Sequence, residues 1–172
     1  MINDVIKNSV RFLILILLQV LIVQNIRLGP YVILLPYVLF ILLLPFETPK
    51  LWVLIIAFFT GLVIDMFYDT AGIHAAACTM IGFLRYYVLK LLSPREGYDV
   101  GLSPTIESMG SLWFITYAFI IIFIHHLIVF YIEIFRFNEF FNTLLRVILS
   151  SIGTFVFVYI IQFLFNKSNK AN

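Results

Sequence analysis

Three side chains able to carry metal or proton chemistry lie close together in this chain: Asp65, Asp69 and His74. Asp65 and Asp69 are one helical turn apart, so on a helix they share a face with Gly61, one turn further back. Two carboxylates and an imidazole are the ligand types of a divalent-cation site and the acid–base types of a proton site. They end an apolar run, where a carboxylate costs about 2.5–3.5 kcal/mol at the centre of a membrane helix and less near the interface. The trio has two readings. It forms a metal or proton site, or Asp69 caps the turn into the next helix while Asp65 hydrogen-bonds to neighbouring helices. The second is preferred, because a metal site needs more ligands than this run supplies. No catalytic residue, metal or cofactor is predicted.

Other polar residues interrupt apolar runs. Arg85 lies eleven residues beyond His74, about 16 Å along a helix, too far to pair with Asp65. It is expected to snorkel to the interface beside Tyr86 and Tyr87. His125 and His126 are adjacent and point about 100° apart on a helix, so they cannot act as an i,i+4 metal pair; one is expected to line a cavity and the other to reach the interface. Gln19, Gln24 and Asn25 are expected to hydrogen-bond to other helices. Ser150, Ser151, Gly153 and Thr154 read as a helix-packing surface, and Glu133 and Arg136 as an exposed pair. Gly61 with Ala75, Ala76 and Ala77 lets two helix backbones approach closely in lipid. The chain holds no phosphate-cradling Gly-rich loop, paired-His metalloprotease helix or Gly-x-Ser-x-Gly elbow.

The elements that must position these residues are set by hydropathy. Of the 172 residues 63% are hydrophobic and 12% charged, with a mean hydropathy of +1.08; a soluble domain carries about 25% charge. The chain therefore reads as an all-α integral membrane protein, a single bundle of about six transmembrane helices with no separate soluble domain. A span needs roughly 17–25 mostly apolar residues. Six segments approach this: Val10–Ile26, Tyr31–Phe46, Leu51–Tyr68, Ile73–Leu92, Leu112–Ile132 and Leu144–Phe165. The second is short, and Pro36 is placed to kink or break it. Their continuous hydrophobicity argues against alternating barrel strands. The first segment has no small-x-small cleavage site after it and reads as an uncleaved helix. Gly29-Pro30, Pro45–Pro49 and Asp69–Gly72 make short turns, and Ser93–Glu107 is the one longer polar connection, carrying Arg95, Glu96 and Asp99. Cys78 is the single cysteine, which excludes an internal disulfide.

With the N-terminus inside, Lys7, Arg11, Lys50, Arg85, Lys90, Arg95, Lys167 and Lys170 fall on the cytoplasmic side, against Arg27, Arg136 and Arg146 outside. The positive-inside bias then places both termini in the cytoplasm, which an even number of spans requires. The scattered cations form no nucleic-acid-binding surface.

The stretches Leu35-Pro36-Tyr37, Leu44-Pro45-Phe46-Glu47-Thr48-Pro49 and Phe59-Thr60-Gly61-Leu62-Val63-Ile64-Asp65-Met66-Phe67-Tyr68-Asp69-Thr70-Ala71-Gly72-Ile73-His74-Ala75-Ala76-Ala77, ending at Arg85, resemble the rod-shape-determining MreD family in its Bacteroidetes form. The length and six-helix plan agree along the chain. The specific motifs lie in the second to fourth segments, and the last two agree in hydropathy alone. The resemblance implies a non-enzymatic scaffold of the bacterial inner membrane, supporting lateral peptidoglycan synthesis and cell shape. It implies binding to MreC, with MreB, RodA and a class B penicillin-binding protein in the wider complex. It also implies a fold similar to the substrate-binding subunits of energy-coupling-factor transporters. Gly61, Asp65, Asp69, His74, Arg85, Arg95, Glu96 and Asp99 become candidate structural or partner-contact residues. The alternative is a vitamin-type substrate-binding subunit of a membrane transporter. Such subunits dock through an Ala-x-x-x-Ala stripe on the first helix, whereas the first alanine here is Ala57. A third class, a membrane-embedded enzyme, would use Asp65, Asp69 and His74.

Overall fold

The computed structural model describes residues 2–26, 28–99, 101–134 and 139–169, and side chains for residues 6–164 of these. The described residues are helical wherever they are regular: α1 (Ile2–Leu17), α2 (Val38–Leu42), α3 (Lys50–Tyr68), α4 (Ile73–Leu91), α5 (Ile106–Met109), α6 (Ser111–Ile134) and α7 (Phe140–Asn169). Beyond α1 the chain winds through a π-helical turn, Leu18–Ile22, and a 3-10 turn, Val23–Asn25. Among the described residues, four helical stretches are long and apolar enough to cross a membrane: Ile6–Asn25, Lys50–Tyr68, Ser111–Ile134 and Phe140–Leu164. Large apolar side chains also cover the outside of the bundle. Leu51, Met66, Leu112 and Phe141 are 66–82% exposed. Such a surface is stable against acyl chains and not against water. The chain is an all-helical membrane protein.

α3 and α4 form the closest pair, α6 lies against α4, and α7 closes on α6. Gly61 sets the α3–α4 distance. A Cβ built on it would fall 2.5 Å from Ala75 Cα and closer still to the His74 carbonyl oxygen. Without a hydrophobic force between helices in lipid, such backbone proximity is what holds a pair together.

The second apolar segment departs from expectation. Tyr31–Phe46 is not a continuous helix: residues 31–35 run without helical or sheet bonding, and only the five residues of α2 are helical before the chain turns at Pro45. Proline is the cause. Pro36 forces Leu35 away from helical backbone angles, and Pro30 and Pro45 remove donors at either end. This broken segment is nevertheless the most buried part of the chain. Leu35 and Tyr37 to Leu44 are 0–7% exposed, enclosed by the surrounding helices. Irregular backbone at membrane depth is tolerated where protein surrounds it and supplies its missing hydrogen bonds.

The Ser93–Glu107 connection is pinned to one end of the bundle. Tyr98 stacks on Phe46 with centroids 4.0 Å apart and donates to the Leu89 carbonyl at 2.7 Å. Its burial, outside the spans, pushes its hydroxyl up to about 12. Gly101 N–H donates to Glu47 Oε1 at 2.7 Å, and Phe46 N–H to the Leu102 carbonyl at 3.2 Å. Thr105 and Ser108 form a reciprocal capping box on α5.

Candidate functional site

The Asp65 carboxylate lies at the end of α3 and is 4% exposed. Its Oδ2 accepts the Ala75 backbone N–H at 2.8 Å, and its Oδ1 accepts the His74 backbone N–H at 3.0 Å. These are orphan first-turn donors of α4, so Asp65 caps the next helix from across the turn. Thr70 Oγ1 also donates to Oδ1, and His74 Nδ1 lies 3.2 Å from it. The negative carboxylate faces the positive end of the α4 dipole. Both Asp65 oxygens thus accept hydrogen bonds from the turn and the start of α4.

Asp69 does different work from that expected of it. It is exposed and holds the left-handed conformation (φ 53°, ψ 37°) that ends α3, its N–H donating to the Asp65 carbonyl. Asp and Asn adopt this conformation more readily than other side chains. The cap on the turn therefore belongs to Asp65, and Asp69 terminates the preceding helix. Gly72, at φ 87°, supplies the second left-handed residue of the same turn.

Arg85 does not snorkel. It is 3% exposed; its Nε donates to Tyr117 Oη at 3.0 Å, and its Nη2 donates to the Leu44 carbonyl and lies 3.5 Å from that of Pro45. Tyr117 Oη passes the contact on to the Leu42 carbonyl at 3.1 Å, and Arg11 Nη1 donates to the Leu43 carbonyl at 3.2 Å. Two arginines and a tyrosine thus satisfy the open C-terminal carbonyls of α2. A guanidinium is suited to this, with several fixed donors and a favourable charge at a helix C-terminus.

The extended start of the segment is satisfied from α7. Ser150 Oγ accepts the Ile33 N–H and donates to the Tyr31 carbonyl, both at 3.0 Å. Thr154 Oγ1 accepts the Leu35 N–H at 3.0 Å and donates to His126 Nε2 at 3.1 Å. His126 Nδ1 then carries the proton and donates to the Ile122 carbonyl at 2.9 Å. Gly153 lets Val32 and Leu34 close in, since a Cβ on it would stand 2.9 Å from Leu34 Cδ2. The Ser150–Thr154 patch therefore packs against unwound backbone as well as against α6. Gln19, turned fully inside by the π-helical turn, donates to the Leu34 carbonyl at 3.2 Å and to Tyr68 Oη at 2.6 Å.

Both histidines of α6 are fully buried, so neither reaches the interface. His125 Nε2 is 2.8 Å from Tyr37 Oη, and Cys78 Sγ approaches both, at 3.8 and 3.9 Å. Asp65, His74, Tyr37 and His125 form a buried polar layer, with the Tyr37 ring 6.0 Å from His74 and 5.5 Å from His125. No group of three or more metal-ligating residues occurs among the described residues. Arg95, Glu96 and Asp99 stand exposed on the 93–105 connection, at the opposite end of the bundle from Asp65. Glu133 approaches Arg146 at 3.5 Å. Arg27 and the expected partner Arg136 lie outside the described residues, as do Lys170 and the side chain of Lys167. Gln19 bonds another helix as expected, through Tyr68 of α3, whereas the support that Ser150 and Thr154 give to unwound backbone was not expected. Their signal was the i,i+4 spacing of Ser150 and Thr154 together with three prolines bracketing one apolar segment. The chain matches no protein-family model, and no curated protein or solved structure matches it.

Proposed function

We propose that the chain is a non-enzymatic membrane scaffold of the MreD type, acting in the bacterial inner membrane through MreC to support lateral peptidoglycan synthesis and cell shape. The observation that carries this reading is how its membrane-depth polar groups are used. Asp65, Arg85, Ser150 and Thr154 each bond the chain's own backbone. They rigidify a bundle rather than converge on a point where substrate could react. The six-crossing plan is supported by the position of α4 and of the broken segment. α4 packs along α3 and α6, and its 19 residues reach about 28 Å, while residues 31–46, buried from 34 to 44, run from the Asp65 end of the bundle to the Arg85 end. Counted so, both termini lie on the side of Lys7, Lys50 and Lys90, in the cytoplasm, in the plan of the energy-coupling-factor substrate-binding subunits.

The exposed residues then divide between two faces. Arg95, Glu96 and Asp99 face the cytoplasm, where components associated with MreB are met. Asp69 and the outer ends of α3, α6 and α7 face the periplasmic side, where MreC, RodA and a class B penicillin-binding protein are met. Cross-linking and co-purification from native membranes test the reading directly: MreC is recovered with the wild-type chain, and Asp69→Arg reduces that recovery while the protein still folds. Failure to recover MreC under cross-linking overturns it. The transporter alternative predicts instead a saturable binding isotherm for a vitamin on the purified chain, and the enzyme alternative a stoichiometric divalent ion.

A further inference from the structure

At the end of the bundle that holds Arg11 and Arg85, a cleft of about 640 Å³ opens between α1, α2, α7 and residues 101–108. This is within the range of sites that hold small organic ligands. Leu15, Leu39, Leu43 and Ile161 form its apolar walls, with Val10 and Ile14, about half exposed, at its edge. Lys7 and Arg11 stand one turn apart along the same wall, and Glu107 is the one carboxylate among the lining residues. The balance of these three is one positive charge. Gln162, 7% exposed, also lines the cleft.

We infer that this cleft binds an anionic phospholipid of the surrounding bilayer. An acyl chain lies along the leucines and Ile161, the phosphate lies at Lys7 and Arg11, and the glycerol ester region meets the Gln162 amide. Three observations select a lipid. The cleft opens at Val10 and Ile14 on the lipid-facing side of a first helix that packs mainly on α2. Its walls are apolar and its mouth is cationic, in the order in which a phospholipid presents chain and head group. The Gln162 amide on its lining matches a carbonyl or hydroxyl near that boundary. Bilayer lipid surrounds the bundle on every side, so it fills such an opening before any partner arrives. The inference rests on membrane embedding alone and is independent of the MreD-type reading.

The test is native mass spectrometry of the full chain in mild detergent, titrated with phosphatidylglycerol and with phosphatidylcholine of identical acyl chains. Phosphatidylglycerol is expected to bind several-fold more tightly. Lys7→Gln, an exposed position, lowers that affinity about fivefold with little change for phosphatidylcholine, the effect of one cation near an anionic head group. Ile14→Trp, which fills the opening from an exposed site, removes both lipids and leaves the melting temperature of delipidated protein unchanged. Gln162→Leu weakens both lipids together. Lys90→Gln, exposed and outside the cleft, changes nothing. Equal affinity for the two lipids, insensitive to Lys7→Gln, overturns the head-group assignment. A lipid count unchanged by Ile14→Trp overturns the site, as does a partner helix cross-linking to residue 14 in native membranes in place of lipid. MreC recovery is read in a separate experiment, so the two proposals fail separately.

Discussion

Asp65 Oδ2 receives the Ala75 backbone N–H at 2.8 Å, ten residues on and in the next helix. One carboxylate thereby joins the end of α3 to the start of α4, at the level where Gly61 brings the two backbones together. Removing it should loosen the pair. Asp65→Ala is expected to cost about 2–4 kcal/mol, more than an ordinary N-cap because the loss leaves several buried donors unpaired. Asp65→Asn should cost less but still destabilise, since its NH₂ must face backbone N–H groups that need an acceptor. Asp69→Asn should be near neutral, because asparagine accepts the left-handed conformation, whereas Asp69→Val should be destabilising. Thermal or denaturant unfolding in detergent measures the series; equal losses at residues 65 and 69 would contradict this division of roles.

Gly61→Ala tests the close approach itself. The added methyl meets backbone of α4 rather than a movable side chain, so the helices must separate, at about 1–3 kcal/mol or more. Gly82→Ala meets Ala57 Cβ at 3.0 Å and Val53 Cγ1 at 3.6 Å, with no backbone atom nearer than 3.5 Å, and should be milder. Disulfide trapping between cysteines introduced on the facing sides of α3 and α4 should slow in Gly61→Ala and stay near wild-type rate in Gly82→Ala.

Arg85 and Tyr117 should behave as one unit. Each alone satisfies carbonyls at the C-terminal end of α2, and they bond each other at 3.0 Å. Tyr117→Phe is expected to cost about 1–3 kcal/mol, and Arg85→Gln more, because a buried network loses its charged donor. Arg85→Lys should not rescue, since an ammonium cannot span the tyrosine and the Leu44 carbonyl as the planar guanidinium does. A double-mutant cycle by unfolding should give a coupling of at least about 0.5 kcal/mol; strict additivity would show that the two act separately.

Thr154→Val keeps the shape of the side chain and deletes its hydroxyl. The Leu35 N–H and His126 Nε2 are then left unpaired in the interior, an expected loss of about 1–3 kcal/mol. Amide exchange at Leu35 should accelerate in Thr154→Val while exchange at Ile33, held by Ser150, is less affected; Ser150→Ala should show the reverse. Uniform acceleration along residues 31–35 would mean that the segment opens as a whole.

Hydropathy alone determined the class of the protein and the ends of α3 and α4, because crossing lipid needs a continuous apolar run and breakers end it. The expected Leu51–Tyr68 and Ile73–Leu92 correspond to α3 and α4 within a residue at each end, and the small residues at Gly61 and Ala75 announced their close pairing, since these are local properties. Tertiary structure alone decided which polar side chain serves which backbone group. Asp65 rather than Asp69 caps α4, Arg85 turns inward to Leu44, and Thr154 supports Leu35 from 119 residues away. The broken segment likewise reads as a short span in one dimension, and its burial becomes possible only once α1, α4, α6 and α7 surround it. The physical reason is range. Apolar transfer is summed residue by residue along the chain, whereas the partner of an unsatisfied donor or carbonyl is fixed by whichever helix the fold brings within 3 Å.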